Sequence, residues 1–245
     1  MRLTVLGVHS PFPPVASGSC PGYLVEQDGT SILLDCGSGV IQRLRQLRPV
    51  PRLGAVVVSH LHGDHMSDVL VLKYLADAYG PAYGWPEPLP VYAPPTPAGE
   101  FASLSFRQAT IAHAIDASRP LAIGPFRLFF RRTVHPVETY AVRIEAGGRT
   151  FTYSADTAYD DGVVALAAGS DLFLCEATFR TDQAPHPNTV HMTARDAGRA
   201  AAQAGVRRLL LTHFLEENSL AGLEQEAKEL FAAVTLAREG ETYNI

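Results

Sequence analysis

The chain has 245 residues, of which 47% are hydrophobic and 18% are charged, and this composition is typical of a globular protein. Its formal net charge of −5 excludes a general basic surface, so a long nucleic acid is not an expected partner. Three scattered cysteines exclude a disulfide framework, and no apolar run approaches the roughly 20 residues of a membrane span. We therefore expect a cytoplasmic protein with no membrane partner.

Short apolar runs in the first 60 residues predict four strands, and the first of them indicates a strand at the N-terminus rather than a signal peptide. These runs are LTVLGV, GYLVEQ, SILLDCG and AVVVSH, with QDGT as a hairpin turn between the second and the third. The segment SGVIQRLRQLRP predicts a helix that Ser38 caps and Pro49 ends. A second helix is predicted over MSDVLVLKYLADAYG, ending at Gly80.

Residues 80–99 are rich in proline and aromatic side chains. This composition disfavours a helix and predicts an extended surface excursion. Such a segment could serve as a lid over a site or as a contact between subunits, and the sequence leaves both open.

The remaining segments alternate between strand and helix patterns. FRLFFRRTVH, YAVRIE, RTFTYSAD, DLFLCEA and RLLLTH predict strands, while DGVVALAAG, TARDAGRAAAQAG and an amphipathic stretch from Leu220 to Val234 predict helices. Two halves with similar element order would bury their apolar strands by packing two sheets together with helices outside. We expect an α/β fold, a four-layer αββα sandwich of two mixed sheets. A doubly wound sheet is the alternative, but the hairpins favour mixed pairing.

The segment SHLHGDH directly follows the apolar run GAVVV. Alternate residues of an extended segment face the same way, so His60 and His62 can point toward one ion, while Asp64 and His65, beyond the turn at Gly63, address a second. Imidazole nitrogens and carboxylate oxygens are ligands of zinc, which in catalytic sites keeps an open position for water. The pattern therefore predicts two neighbouring metal ions.

Four residues cannot complete two coordination spheres, so further ligands must come from other parts of the chain. Three candidates each end a mostly apolar run, which places them at the rim of the sheets: His135, Asp156 and His213.

These motifs resemble the metallo-β-lactamase fold superfamily, whose HxHxDH signature stands here as HLHGDH, and the resemblance covers almost the whole chain as a single domain over residues 1–245. It implies that a first ion is held by His60, His62 and His135. It implies that the second is held by Asp64, His65 and His213, with Asp156 bridging and Asp64 acting also as a local base. Asp35 resembles the carboxylate that orients a ligand histidine, although turn amides could instead satisfy it.

The segment HMTARDAGRAAAQAGVRRLLLTHF resembles ribonuclease Z and related phosphodiesterases. The resemblance implies that His191 is a general acid and that Glu176 orients it, which suits phosphodiester cleavage because an alkoxide leaving group benefits from a proton donor. A structural alternative is that His191 only precedes a helix that Thr193 caps, with Asp196 completing a capping box.

Only 21 positions separate His135 from Asp156, and a hairpin occupies them, so the tRNA-clasping arm of ribonuclease Z does not fit. The resemblance therefore implies a small phosphodiester, above all a cyclic nucleotide such as 3′,5′-cyclic AMP. Alternatives are a ribonuclease Z-like RNA 3′ endonuclease and a thioester hydrolase of the glyoxalase II kind. Zinc is the expected metal, with manganese or iron sharing the same ligands, and the family resemblance implies a homodimer.

Overall fold

The computed structural model describes residues 1–14, 18–184, 190–215 and 220–245. In the first half of this part of the chain the elements are β1 (Arg2–Gly7), β2 (Gly22–Gln27), β3 (Thr30–Leu34), α1 (Val40–Gln46), β4 (Leu53–Val57), α2 (Gly63–Met66), α3 (Val69–Tyr79), β5 (Leu89–Ala93), α4 (Ala98–Ser103) and β6 (Thr110–Ala114). The second half contains β7 (Leu121–Ile123), β8 (Phe126–Arg132), β9 (Tyr140–Ala146), β10 (Arg149–Tyr153), α5 (Asp161–Ala167), β11 (Leu172–Glu176), α6 (Ala194–Ala204), β12 (Leu209–Thr212), α7 (Leu220–Lys228), β13 (Val234–Leu236) and β14 (Thr242–Asn244).

The described strands form two mixed sheets, in the orders β14-β1-β2-β3-β4-β5-β6 and β13-β12-β11-β10-β9-β8-β7. Along β3, Ile32 and Leu34 belong to the core between the sheets, whereas Leu33 packs in a second cluster with apolar residues of α1 and α3. This alternation follows from the two-residue period of a strand, which buries both faces when a sheet lies between a second sheet and helices. The expected αββα sandwich of two mixed sheets is confirmed.

Three strands end with a residue in the left-handed backbone region, which non-glycine residues rarely adopt. Asp35 (φ 54°) follows β3, Ala155 (φ 51°) follows β10 and His213 (φ 62°) follows β12. Backbone strain of this kind costs about 1–3 kcal/mol per residue and is found most often at functional sites. Because β3 pairs parallel with β4, and β10, β11 and β12 pair parallel with one another, the chain leaves all five strands at one rim of the sandwich.

The prediction of a surface excursion over residues 80–99 was wrong for Trp85 and for residues 89–93, whereas residues 95–99 are exposed. Leu89–Ala93 is β5, an inner strand that pairs parallel with β4 and β6, and the side chain of Trp85 is buried with its Nε1 donating to the carbonyl of Pro51. The proline-rich flanks concealed the alternation of Leu89, Val91 and Ala93, which is the strand signal.

The predicted final helix from Leu220 to Val234 was too long. Helix α7 ends at Lys228, and Val234 begins β13, which pairs parallel with β12. Apolar spacing in this stretch fits a helix, but pairing with β12 gives the backbone of residues 234–236 hydrogen-bond partners in the sheet.

Among the described residues, no helix is long and apolar enough to cross a bilayer.

Two glycines near the rim differ in how much room they have, and this difference yields a stability prediction. A Cβ on Gly37 would lie 1.8 Å from the backbone oxygen of Asp64 and 2.6 Å from the Cβ of Cys20, whereas a Cβ on Gly63 would meet no described heavy atom within 4 Å. Gly37→Ala should therefore lower the free energy of unfolding by about 1–3 kcal/mol or more. Gly63→Ala should stay within about 0.5 kcal/mol of the parent. Urea denaturation of both variants tests this, and equal midpoints would contradict it.

Candidate metal centre

The seven predicted ligands reach one place at the rim of the sandwich, on segments that follow strand ends. His60 and His62 lie in the extended segment after β4, and α2 then carries Asp64 and His65. The other three follow β8, β10 and β12: His135, Asp156 and His213. His60 and His65 are fully buried, and Asp156 and His213 are 2% exposed.

A first group is formed by three imidazoles whose nitrogens converge. His60 Nε2 lies 3.0 Å from His62 Nδ1, which lies 3.2 Å from His135 Nε2. Burial is the largest influence on each ring and lowers the pKa of all three. The rings are therefore neutral at pH 7, and each can offer a lone pair to a common cation.

The second group consists of Asp64, His65 and His213. Asp64 Oδ2 lies 3.5 Å from His65 Nε2 and 3.4 Å from His213 Nε2, and the two imidazole nitrogens are 3.4 Å apart. Two ligands of a tetrahedral zinc ion, each about 2.0–2.1 Å from the metal, are about 3.3–3.4 Å apart. The spacing therefore matches ligands that surround an ion.

Asp156 lies between the two groups. Its Oδ1 is 3.4 Å from His65 Nε2, and its Oδ2 is 3.4 Å from His213 Nε2 and 3.7 Å from His60 Nε2. Although Oδ1 is buried, no described residue donates a hydrogen bond to it. A buried carboxylate oxygen without a donor is costly, and a metal ion would satisfy it.

Charge at the second group favours a cation. Burial opposes a proton on His65, but the carboxylates of Asp156, Asp64 and Asp35 outweigh burial and raise its pKa well above the usual value. Burial likewise opposes the charge of Asp156, yet His213 and His65 hold its pKa well below its usual range. The donor set is consistent with a binuclear metal site.

Asp35 supports the centre from behind. It is fully buried and accepts four hydrogen bonds, from the backbone N–H of Ser59 (2.6 Å), Ser59 Oγ (2.9 Å), His65 Nδ1 (2.8 Å) and the Tyr153 hydroxyl (2.8 Å). Because His65 donates through Nδ1, its Nε2 is the nitrogen that faces the ligand group and that a metal ion would bind in place of a proton. Asp35 thus orients a ligand histidine, a role that sets tautomer and ring direction.

The predicted pair of His191 and Glu176 lies at the edge of this centre. His191 Nδ1 is 3.0 Å from Glu176 Oε1, and its ring stacks on that of His213 with centroids 5.3 Å apart. Burial lowers the pKa of His191, but the Glu176 carboxylate outweighs it and raises the pKa to about 9. The ring is therefore a cation at neutral pH, and a donor in contact with the ligand cluster.

The structural alternative for His191 is also present. Thr193 and Asp196 form a capping box at the start of α6. The cap does not involve the imidazole of His191, so the two arrangements coexist, and the cap sets the start of α6 at Ala194, three residues after this histidine.

Sequence reasoning missed three polar side chains of the site. Ser59 and Thr178 contact ligand histidines through their hydroxyls, and Tyr153 donates to Asp35. A hydroxyl directly before HLHGDH and another two positions after Glu176 were available signals. Tyr153 offered none, because its contact joins strands of different sheets.

The comparisons with known proteins agree with this fold. Residues 30–214 match the family model described as "Beta-lactamase superfamily domain". The chain is 37% identical over 242 residues to the "Probable metallo-hydrolase YhfI" of Bacillus subtilis, covering 98% of each chain. The crystal structure of YhfI superposes with a TM-score of 0.91 over 99% of both chains, at 34% identity. A "Ribonuclease Z" of Mycobacterium bovis is 31% identical over 249 residues, covering 88% of this chain and 86% of that protein. The chain therefore belongs to the metallo-β-lactamase superfamily, as a metallo-hydrolase similar to YhfI.

Proposed function

We propose that this metallo-hydrolase is a dinuclear phosphodiesterase that cleaves a small phosphodiester, with a cyclic nucleotide such as 3′,5′-cyclic AMP as the leading substrate. The observation that carries the proposal is the His191–Glu176 pair beside the ligand cluster, 3.0 Å from nitrogen to oxygen. A positioned, protonated imidazole is what an alkoxide leaving group needs. A thioester hydrolase expels a thiolate, a better leaving group that has less use for this donor.

The cluster residues fit a pair of divalent ions, for which zinc is the proposed identity. His60, His62 and His135 would hold one ion, Asp64, His65 and His213 the other, and Asp156 would contact both. Ions held there supply Lewis-acid activation of water and neutralise the charge of phosphate oxygens. Asp64 would accept the proton of the attacking water. His191 would donate its Nε2 proton to the departing oxygen while Glu176 holds Nδ1.

A small substrate is favoured over RNA by the connection between two ligands. The 21 positions from His135 to Asp156 contain the β9–β10 hairpin and leave no length for a protruding arm. A net charge of −5 also disfavours a long polyanion. RNA 3′-end cleavage is the second candidate, because a relative named ribonuclease Z is 31% identical to this chain.

The substrate assignment predicts a specific product. Protein reconstituted with zinc or manganese should convert 3′,5′-cyclic AMP to 5′-AMP, as chromatography of the products over time will measure. A panel containing cyclic GMP, 2′,3′-cyclic nucleotides and a short RNA 3′ end tests the alternatives. His62→Ala is the control that removes a ligand of the first group. Turnover of every phosphodiester no greater than that of this control would reject the proposal.

The role of His191 predicts loss of rate without loss of metal. His191→Ala should lower kcat by roughly 10²–10⁴, the usual contribution of a general acid, while metal analysis finds the same number of ions per chain. His113→Ala is the matched control, because His113 is exposed and stacks on Tyr92, at the edge of the first sheet. Unchanged kcat in His191→Ala would remove this residue from the mechanism.

Because the carboxylate of Glu176 raises the pKa of His191, removing it should change how kcat depends on pH. A general acid works in its protonated form, and Glu176 raises the pKa of His191 to about 9, so activity should persist through neutral pH and fall above it. Glu176→Gln removes that charge, and the alkaline limb of the kcat profile should move to lower pH. Glu145→Gln is the charge-matched control: Glu145 lies in β9, where it accepts a hydrogen bond from Arg143, and its loss should not move the alkaline limb of the kcat profile. An unshifted limb in Glu176→Gln would contradict the assignment.

A further inference from the structure

In each group, one ligand histidine contacts a hydroxyl through Nδ1, the ring nitrogen that faces away from the other ligands. His60 Nδ1 lies 3.1 Å from Ser59 Oγ, and His213 Nδ1 lies 2.8 Å from Thr178 Oγ1. Each hydroxyl also reaches a fully buried carboxylate, Asp35 for Ser59 (2.9 Å) and Glu176 for Thr178 (2.7 Å). The same arrangement of imidazole, hydroxyl and carboxylate therefore occurs in both sheets, after β4 and after β11.

The direction of the hydrogen bonds follows from the number of protons on each group. An ionised carboxylate only accepts, and Asp35 is surrounded by donors. Ser59 has one hydroxyl proton and gives it to Asp35, so its oxygen can only accept from His60. His60 must then carry its proton on Nδ1, which leaves the lone pair on Nε2, the atom that faces His62.

The same reasoning applies to the second sheet. Glu176 Oε1 accepts from the backbone N–H of Thr157 (2.6 Å) and from His191, while Oε2 accepts from Thr178. The Thr178 oxygen therefore accepts from His213 Nδ1. When its ring is neutral, His213 is left with its lone pair on Nε2, which faces Asp64 and His65.

We propose that Ser59 and Thr178 are positioning residues, each of which selects the metal-binding tautomer of one ligand histidine, Ser59 in the first group and Thr178 in the second. Without the hydroxyl, a neutral imidazole is free to place its proton on Nε2, where it cannot bind a metal. Loss of such outer contacts typically weakens metal binding 10–100-fold. The proposal rests on the metal centre of the proposed function and is independent of its substrate.

The two hydroxyls should affect different ions, and this selectivity separates tautomer selection from a general structural role. Asp35 contacts a ligand in each group, since it binds His65 directly and His60 through Ser59. Ser59 and Thr178, by contrast, each contact a ligand histidine of one group. A general loss of folding would weaken both ion sites, and the variants that keep the hydroxyl separate its hydrogen bond from the space it fills.

The test is a zinc titration of the metal-free protein by calorimetry against a competing chelator. Ser59→Ala should weaken one binding step about 10–100-fold, and Thr178→Val should weaken the other by a similar factor. Ser59→Thr and Thr178→Ser keep the hydroxyl and should restore affinity. His60→Ala and His213→Ala identify which step belongs to which group.

Double variants sharpen the test, because residues that act through one another are not additive. Thr178→Val should have no further effect on zinc affinity in a His213→Ala background, nor Ser59→Ala in a His60→Ala background. Unchanged affinities in both single variants, or an equal loss at both steps in each, would overturn the proposal. Because no substrate is present, an absence of phosphodiesterase activity would not change this result.

Nitrogen-15 NMR of the metal-free protein, at a pH where the rings of His60 and His213 are neutral, provides a readout that does not depend on binding. Long-range proton–nitrogen spectra should place the proton of His60 and of His213 on Nδ1. Ser59→Ala should remove this preference at His60 alone, and Thr178→Val at His213 alone. Retention of the Nδ1 proton in both variants would overturn the proposal, and thermal unfolding of each variant establishes that it is folded.

Discussion

Burial of Asp156 between two groups of imidazoles is the constraint on which the rest of the site depends. Its carboxylate is 2% exposed, within 3.7 Å of nitrogens from three histidines, and one of its oxygens has no donor among the described residues. A charge taken out of water needs compensation from fixed partners. Metal ions would supply that compensation, and the histidines and carboxylates around Asp156 form one set of donors suited to hold them.

Both sheets of the sandwich contribute residues to this cluster. Ligands from the first sheet, His60 and His62, meet Asp156 and His213 from the second, and neither sheet carries a complete set. Backbone in the left-handed region occurs at Asp35, Ala155 and His213, where the chain leaves β3, β10 and β12 at the rim. The strain is tolerated because the apolar strands behind the rim are fully buried and hold the backbone in place.

Behind the ligands, two buried carboxylates organise the imidazoles in related ways. Asp35 binds His65 directly and reaches His60 through Ser59, whereas Glu176 binds His191 directly and reaches His213 through Thr178. In each case a charged acceptor fixes where the protons lie, and therefore which nitrogens face the centre. The proposed proton donor and a ligand of the second group consequently share one carboxylate, which links metal binding with proton delivery.

Nine strands, five helices and the seven candidate ligands could be read from the sequence, because His135, Asp156 and His213 end apolar runs and the other four ligands stand in the HLHGDH motif. Helix α4 and strands β6, β7 and β14 were not predicted. Strand β5 and the division of residues 220–236 into a helix and a strand could not be read from the sequence either, since in both stretches pairing with a neighbouring strand outweighs local composition. The hydrogen bonds of Ser59, Tyr153 and Thr178 were likewise decided by tertiary structure. Ser59 adjoins His60 and Thr178 follows Glu176 by two positions, but their other partners, Asp35 and His213, are distant in the chain, and only the pairing of neighbouring strands brings them within 3 Å. Tyr153 reaches Asp35 only because the two sheets pack face to face.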